Sequence, residues 1–142
     1  GVAPHHTTQI QANYQRSIGN KSVAYRVRQL FPRGAEFNFT PRKYIATSLD
    51  YELPVAYPDW GIPSILFIRR IRVGAFVDYA QYQPFESLSP SWNRLYSYGA
   101  KVTFDVVPIS LPPSANTSIT VTVAKPSDRR GVVVFASIGV PL

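Results

Sequence analysis

The chain has 142 residues, with 15 Lys and Arg against 8 Asp and Glu for a net charge of +7, and contains neither Cys nor Met. The lack of cysteine excludes disulfides and thiolate-bound metal, and nowhere do the roughly 18 consecutive apolar residues of a membrane helix occur. Thirteen prolines, nine tyrosines, eight phenylalanines and two tryptophans favour turns and strands over helices.

A single all-β segment over residues 1–142 is expected, and the missing initiator Met marks it as a processed chain or a fragment. Seven alternating segments follow one another. Thr8 to Gln15 sets Ile10, Ala12 and Tyr14 against Gln9, Gln11, Asn13 and Gln15, and "SIGNKS" then reads as a turn. Val23 to Phe31 sets Val23, Tyr25 and Val27 against Arg26 and Arg28, before the loop "PRGAEFNFTP". The third segment alternates Ile45, Leu49, Tyr51, Leu53 and Val55 with Ala46, Ser48, Asp50 and Glu52, and "AYPDWGIPS" reads as its turn. From Ile65 to Tyr82, Ile71, Val73, Ala75, Val77 and Tyr79 oppose Arg70, Arg72, Gly74 and Asp78, with Phe76 breaking the polar set.

The fifth segment, "YSYGAKVTFDVV", separates Tyr96, Tyr98, Ala100, Val102, Phe104 and Val106 from Ser97, Gly99, Lys101, Thr103 and Asp105, and "PISLPPSAN" closes it. Ser118 to Lys125 alternates Ile119, Val121 and Val123 with Ser118, Thr120 and Thr122. The last, Val132 to Leu142, places Val132, Val134, Ala136, Ile138, Val140 and Leu142 on one side.

Segments three to five exceed the usual strand of about five or six residues and are long enough to cross a bilayer at a tilt. Their polar faces carry charges and amides, whereas their opposite faces need an apolar surface that one chain does not supply. The expected fold is therefore an antiparallel transmembrane β-barrel meander, with lipid outside and a polar lumen inside. A soluble basic β-sandwich or jelly roll, serving as a coat or nucleic-acid-binding module, is the alternative left by the alternation alone. An odd count of seven implies further strands from upstream or from partner chains, because small bacterial barrels are even. Tyr44, Tyr57, Trp60, Tyr82 and Trp92 at segment ends are expected in interfacial girdles.

The order of short motifs adds a resemblance. "RKYIATSLDYELPVAYPDWGIPSILFIRRIRVGAFVDYAQ", then "RLYSYGAKVTFDVV" and a terminal "GVVVFASIGVPL", resemble the C-terminal barrel region of Bacteroidetes outer-membrane proteins with a TolB-like propeller. More distantly they resemble the closing strands of the BamA surface-antigen superfamily. The resemblance covers about Leu30 to Leu142 and implies a bacterial outer-membrane location with a structural, assembly or transport role. It implies too that the loop carrying Arg33 and Gly34 folds into the lumen, Arg33 meeting acidic groups there, foremost Asp78. This chain has Ala35 where the family's motif has an aromatic, and it ends in Pro141 and Leu142 rather than an aromatic. By the same resemblance "SIGNKS", "AYPDWGIPS" and "PISLPPSAN" share the periplasmic end. The PRG loop, Gln83 to Asn93 and "KPSDRRG" share the outer end.

Asp50, Glu52, Arg70, Arg72, Lys101 and Asp105 are the expected lumen-facing charges, more suited to satisfying one another than to acid–base catalysis. No enzyme motif and no cofactor signature is present: there is no G-x-S-x-G, no Gly-rich phosphate loop and no metal-ligand spacing. Adjacent His5 and His6 would face opposite sides of a strand. The +7 charge alone suits nucleic acid, anionic lipid or lipopolysaccharide equally. "FIRRIRV" carries the arginines of a nucleic-acid patch, but Arg70 and Arg72 share a face with Asp78 and Arg69 is placed to reach a headgroup. The expected partners are therefore outer-membrane lipid or lipopolysaccharide and further barrel strands, with no nucleic acid. The sequons at Asn20, Asn38 and Asn116 matter only in a eukaryotic secreted protein.

Overall fold

The computed structural model describes residues 6–16, 31–36, 41–58, 60–62, 66–84, 91–108 and 117–139. Their regular structure is all strand: β1 (Thr7–Arg16), β2 (Pro41–Ala56), β3 (Trp60–Ile62), β4 (Leu66–Pro84), β5 (Asn93–Pro108), β6 (Thr117–Pro126) and β7 (Val133–Gly139). They form one antiparallel sheet in the order β1-β2-β4-β5-β6-β7, with β3 paired to β4. Among the described residues the sheet is open, with β1 and β7 at its edges.

The strands hold their register because each is two-faced. Asp50, Glu52, Asp78 and Lys101 all lie on one side, so a slip of one residue would carry them to the apolar side together. The pairings line up as rows across the sheet. On the apolar side these are Ala12–Thr47–Tyr79–Tyr96, Ile10–Leu49–Val77–Tyr98, Thr8–Tyr51–Ala75–Ala100–Val123–Val134, Leu53–Val73–Val102–Val121–Ala136 and Ile71–Phe104–Ile119–Ile138. Nothing among the described residues covers this side: Leu49, Val77, Tyr98 and Ile138 are exposed.

Burial lies on the opposite face. Tyr44, Ala46, Ala80 and Leu95 form its apolar cluster, with Phe31 and Tyr82 packed against them. The buried polar residues Ser48, Asp78, Ser97, Thr103 and Thr122 share that face. Tyr44 and Tyr82 are thus inward-facing packing residues and not girdle residues, Tyr44 stacking on Phe31 at 6.4 Å between ring centroids. The pleat decides this, since Tyr44 shares the parity of Ala46 and Ser48. Tyr57, Trp60 and Trp92 are exposed.

Three expectations about connectivity change. The presumed turn "AYPDWGIPS" contains β3, because Trp60, Gly61 and Ile62 continue β2's line along β4 after a register shift at Pro54. Such a shift accommodates a proline that has no N–H for the ladder. With β3 prolonging β2, the sheet is six strand positions wide among the described residues. Second, β1 pairs directly with β2 from Thr7↔Glu52 to Arg16↔Lys43, so no strand lies between them. The expected strand Val23 to Phe31 lies outside the described residues except for Phe31, which is not in a strand.

Third, direct pairing puts Arg16 at the end holding Pro84, Asn93 and the β6–β7 turn. The end of β1 at Arg16 is therefore opposite to the end expected for "SIGNKS", a segment that lies outside the described residues. Two strands in antiparallel contact reverse the chain once, whereas an interposed strand would have reversed it twice.

Candidate functional site

The buried face is organised by residues 31–36, which run across it from β2 towards β7. Gly34 adopts φ of 79°, and a Cβ there would lie 3.3 Å from the Cβ atoms of both Ala124 and Val133. This left-handed conformation suits glycine, and it seats the loop closely on β6 and β7. The Ala35 amide donates to the Pro32 carbonyl at 3.2 Å, forming a tight turn. At its far end the Glu36 amide donates to Asp128 Oδ2 at 2.8 Å, and the Glu36 carboxylate pairs with Arg129 in the β6–β7 turn.

Arg33 points down into the sheet. Its Nε donates to Asp78 Oδ2 and its Nη2 to Asp78 Oδ1, both at 2.8 Å, while its own amide donates to Asp78 Oδ2 at 3.0 Å. Nη1 and Nη2 also reach the Asp50 carboxylate at 2.9 and 2.8 Å. One guanidinium fork therefore holds two carboxylates on adjacent strands, a geometry that a lysine point charge cannot reproduce. Ser48 fills the space between, accepting from Arg33 Nη2 at 3.1 Å and donating to Asp78 Oδ1 at 2.6 Å. Ser97 donates to the Arg33 carbonyl at 2.6 Å.

Below the guanidinium lies the ring of Phe76, with Cζ 3.6 Å from its centroid, a cation–π contact. Burial opposes the charge of Arg33, and the hydrogen bonds and negative charge of Asp78 and Asp50 outweigh it. The arginine pKa consequently stands above its ordinary value.

The remaining charges continue the pattern. Lys101 Nζ bridges Asp50, at 2.7 Å, and Glu52. Glu52 meets Arg72 at 2.6 Å, Arg72 meets Asp105 at 2.8 Å, and Asp105 meets Arg70 at 2.6 Å. Asp78, Arg33, Asp50, Lys101, Glu52, Arg72, Asp105 and Arg70 thus form one chain of alternating sign, with as many cations as anions. Two glycines make room for it. Gly74 sits directly between Glu52 and Lys101 on the intervening strand, where a Cβ would come within 2.7 Å of the Tyr51 carbonyl and 2.8 Å of Glu52 Cγ. Gly99 lies opposite Phe76, whose ring would be 2.8 Å from a Cβ there.

The structure therefore places Arg33 and Gly34 in the inward loop, Arg33 on Asp78, and Asp50, Glu52, Arg70, Arg72, Lys101 and Asp105 in one network on the same face. Arg70 and Arg72 share Asp78's face but serve Asp105 and Glu52 instead. Sequence reasoning missed Asp50 as a second acceptor for Arg33, and it missed Ser48, Ser97, Asp128 and Arg129. The available signals were the polar parity of the serines and the single aromatic, Phe76, on a polar face. Every carboxylate in this network is matched by a cation, so its evident capacity is to hold the loop against the sheet. His6 contacts the Tyr51 hydroxyl, while His5 and the three sequon asparagines lie outside the described residues. Among the described residues no cluster of His, Asp and Glu is arranged to hold a metal ion. Searches of protein-family models, curated proteins and solved structures each return no match to this chain.

Proposed function

We propose that this chain is the membrane-embedded portion of a bacterial outer-membrane β-barrel, with a structural, assembly or transport role and no catalysis in this segment. One observation carries the reading: among the described residues the sheet buries its ion-paired face under a loop and leaves a continuous apolar face uncovered. A soluble sheet has the reverse need, because uncovered apolar area of this extent costs free energy in water. The five apolar rows, spaced two residues apart at about 3.4 Å per residue, extend about 27 Å along the strands. Barrel tilt shortens that by roughly a quarter, leaving the order of the roughly 25 Å lipid-facing band of such barrels.

The six strand positions among the described residues are fewer than the eight of the smallest barrels, so in this reading β1 and β7 join further strands, upstream or in partner chains. The outer surface meets lipid or lipopolysaccharide. Fractionation of cells expressing the full protein tests this: the chain should stay in the membrane pellet through alkaline or urea washes and leave it only with detergent. Recovery in the aqueous phase would end the reading in favour of a soluble sandwich whose second sheet covers Leu49, Val77 and Tyr98.

A further inference from the structure

Charge is distributed unequally between the two faces. All four acids within the described strands, Asp50, Glu52, Asp78 and Asp105, lie on the ion-paired face. The apolar face carries no acid in the described strands, yet at the Arg16–Pro84–Asn93–Pro126 end it bears Arg16, Lys43, Arg94 and Lys125. Their parity fixes this: Arg16 pairs with Lys43, Arg94 with Gln81, and Lys125 with Tyr98, all on the apolar side. Arg16 and Lys43 stand directly opposite each other, an arrangement that repels and does nothing for folding. Neither they nor Arg94 form an ion pair within the described residues, and Lys125 is held only by the Arg130 carbonyl, at 2.7 Å.

Exposed aromatics border these cations: Tyr14, Tyr79, Tyr96 and Tyr98 on the same face, and Trp92 just before β5. Tyrosine and tryptophan settle at headgroup depth, and lysine and arginine reach the same level by extending along the apolar surface. The aromatics therefore set the depth, and the cations lie where phosphates would be.

We propose that Arg16, Lys43, Arg94 and Lys125 form a collar that binds the phosphates of a lipid headgroup carrying more than one of them. This rests on the membrane reading above and specifies its lipid partner. Arg16 and Lys43 stand side by side, Arg94 and Lys125 follow along the staggered strand ends, and no acid of the described strands shares their face; a multiply charged headgroup matches this, since a monoanion leaves the opposed pair only half neutralised. Arginine forks and lysine ammonium groups both donate to phosphate oxygens.

Native mass spectrometry of the full chain folded in a neutral detergent tests the collar, with diphosphorylated lipid A in one arm and phosphatidylglycerol in the other. Each surface cation near anionic lipid is worth about fivefold in binding. The wild type should hold lipid A at least about tenfold more tightly than a variant combining Arg16→Gln, Lys43→Gln, Arg94→Gln and Lys125→Gln, and the difference should shrink with salt. The charge-conserving variant Arg16→Lys with Lys43→Arg should bind like the wild type, which separates charge from misfolding. Equal lipid A retention by the wild type and the Gln variant would overturn the collar. Phosphatidylglycerol held as tightly as lipid A would overturn the multiphosphate assignment. A chain that enters detergent but fails either comparison leaves the membrane reading standing, whereas a chain that stays in water sinks both.

Discussion

Arg33 is the residue on which most of the buried face depends, because it neutralises two carboxylates on different strands. The Asp78 side chain is only 3% exposed, so removing its cation leaves a charge with little water to replace it. Arg33→Ala should destabilise the folded protein by about 3 to 5 kcal/mol, measured by denaturant unfolding in detergent. Arg33→Lys should recover only part of this loss, since an ammonium cannot span Asp78 and Asp50 in forked geometry. Exchanging the charges of Arg33 and Asp78 should fail to restore stability. The aspartate placed at 33 would face Asp50, which already accepts two hydrogen bonds there. Full rescue by the exchange would mean that Asp50 plays no part in holding the arginine. Gly99→Ala offers a separate test of the close packing. Its Cβ would fall 2.0 Å from the Val123 carbonyl oxygen, a backbone atom that cannot rotate away. It should cost at least about 1 to 3 kcal/mol, and trimming Phe76 to Leu in the same chain should not recover it.

At the scale of the strands, the alternation has a direct consequence for substitution. Tyr51 and Ala75 sit in the third of the five apolar rows, paired with each other across β2 and β4. Ala75→Lys should cost about 2 to 4 kcal/mol in the membrane, the loss expected for a cation near the midplane of a lipid-facing surface. Single cysteines make the same point by access. Positions 49 and 77 should resist a membrane-impermeant thiol reagent in intact membranes, and positions 101 and 105 should be the more reactive when the loop is loosened by Arg33→Ala. Labelling at 49 and 77 with protection at 101 and 105 would reverse the faces. The loop across the sheet is an element too, pinned at both ends by Arg33 on β2 and β4 and by Glu36 on the β6–β7 turn.

For the whole molecule, the sheet places the loops at two ends. The β6–β7 turn with Asp128, Pro84, Asn93 and Arg16 lie together, while Tyr57, Ile62, Leu66, Pro108, Thr117 and Gly139 lie at the other end. An epitope inserted at Asp128 and one inserted after Pro58 should therefore be reached from opposite sides of the membrane. Antibody binding to intact and permeabilised cells reads this out, and equal access to both on intact cells would contradict a spanning sheet. The open edges carry a further expectation. In the barrel reading, adding the strands or partner chains that close it should raise resistance to denaturation, because among the described residues β1 and β7 each present an unpaired ladder.

Which residues share a face is legible in the amino-acid order, because strand parity is local: a period of two needs no knowledge of neighbours, and it sorted Asp50, Glu52, Asp78, Arg72, Lys101 and Asp105 from Leu49, Val77 and Val102. It also determined most strand extents, since turn-forming residues punctuate them. Strand adjacency was not local, and there parity was silent. The direct pairing of β1 with β2 and the continuation of β2 as β3 past Pro54 both depend on pairing between strands that the sequence does not order. The tertiary structure alone decided the partners in the ion network. Each strand shows only the sign of its charges, and the choice of Asp50 and Asp78 by Arg33 follows from the loop crossing the sheet where Gly34 seats on Ala124 and Val133. Those contacts join residues up to about a hundred positions apart, and only a folded sheet brings them together.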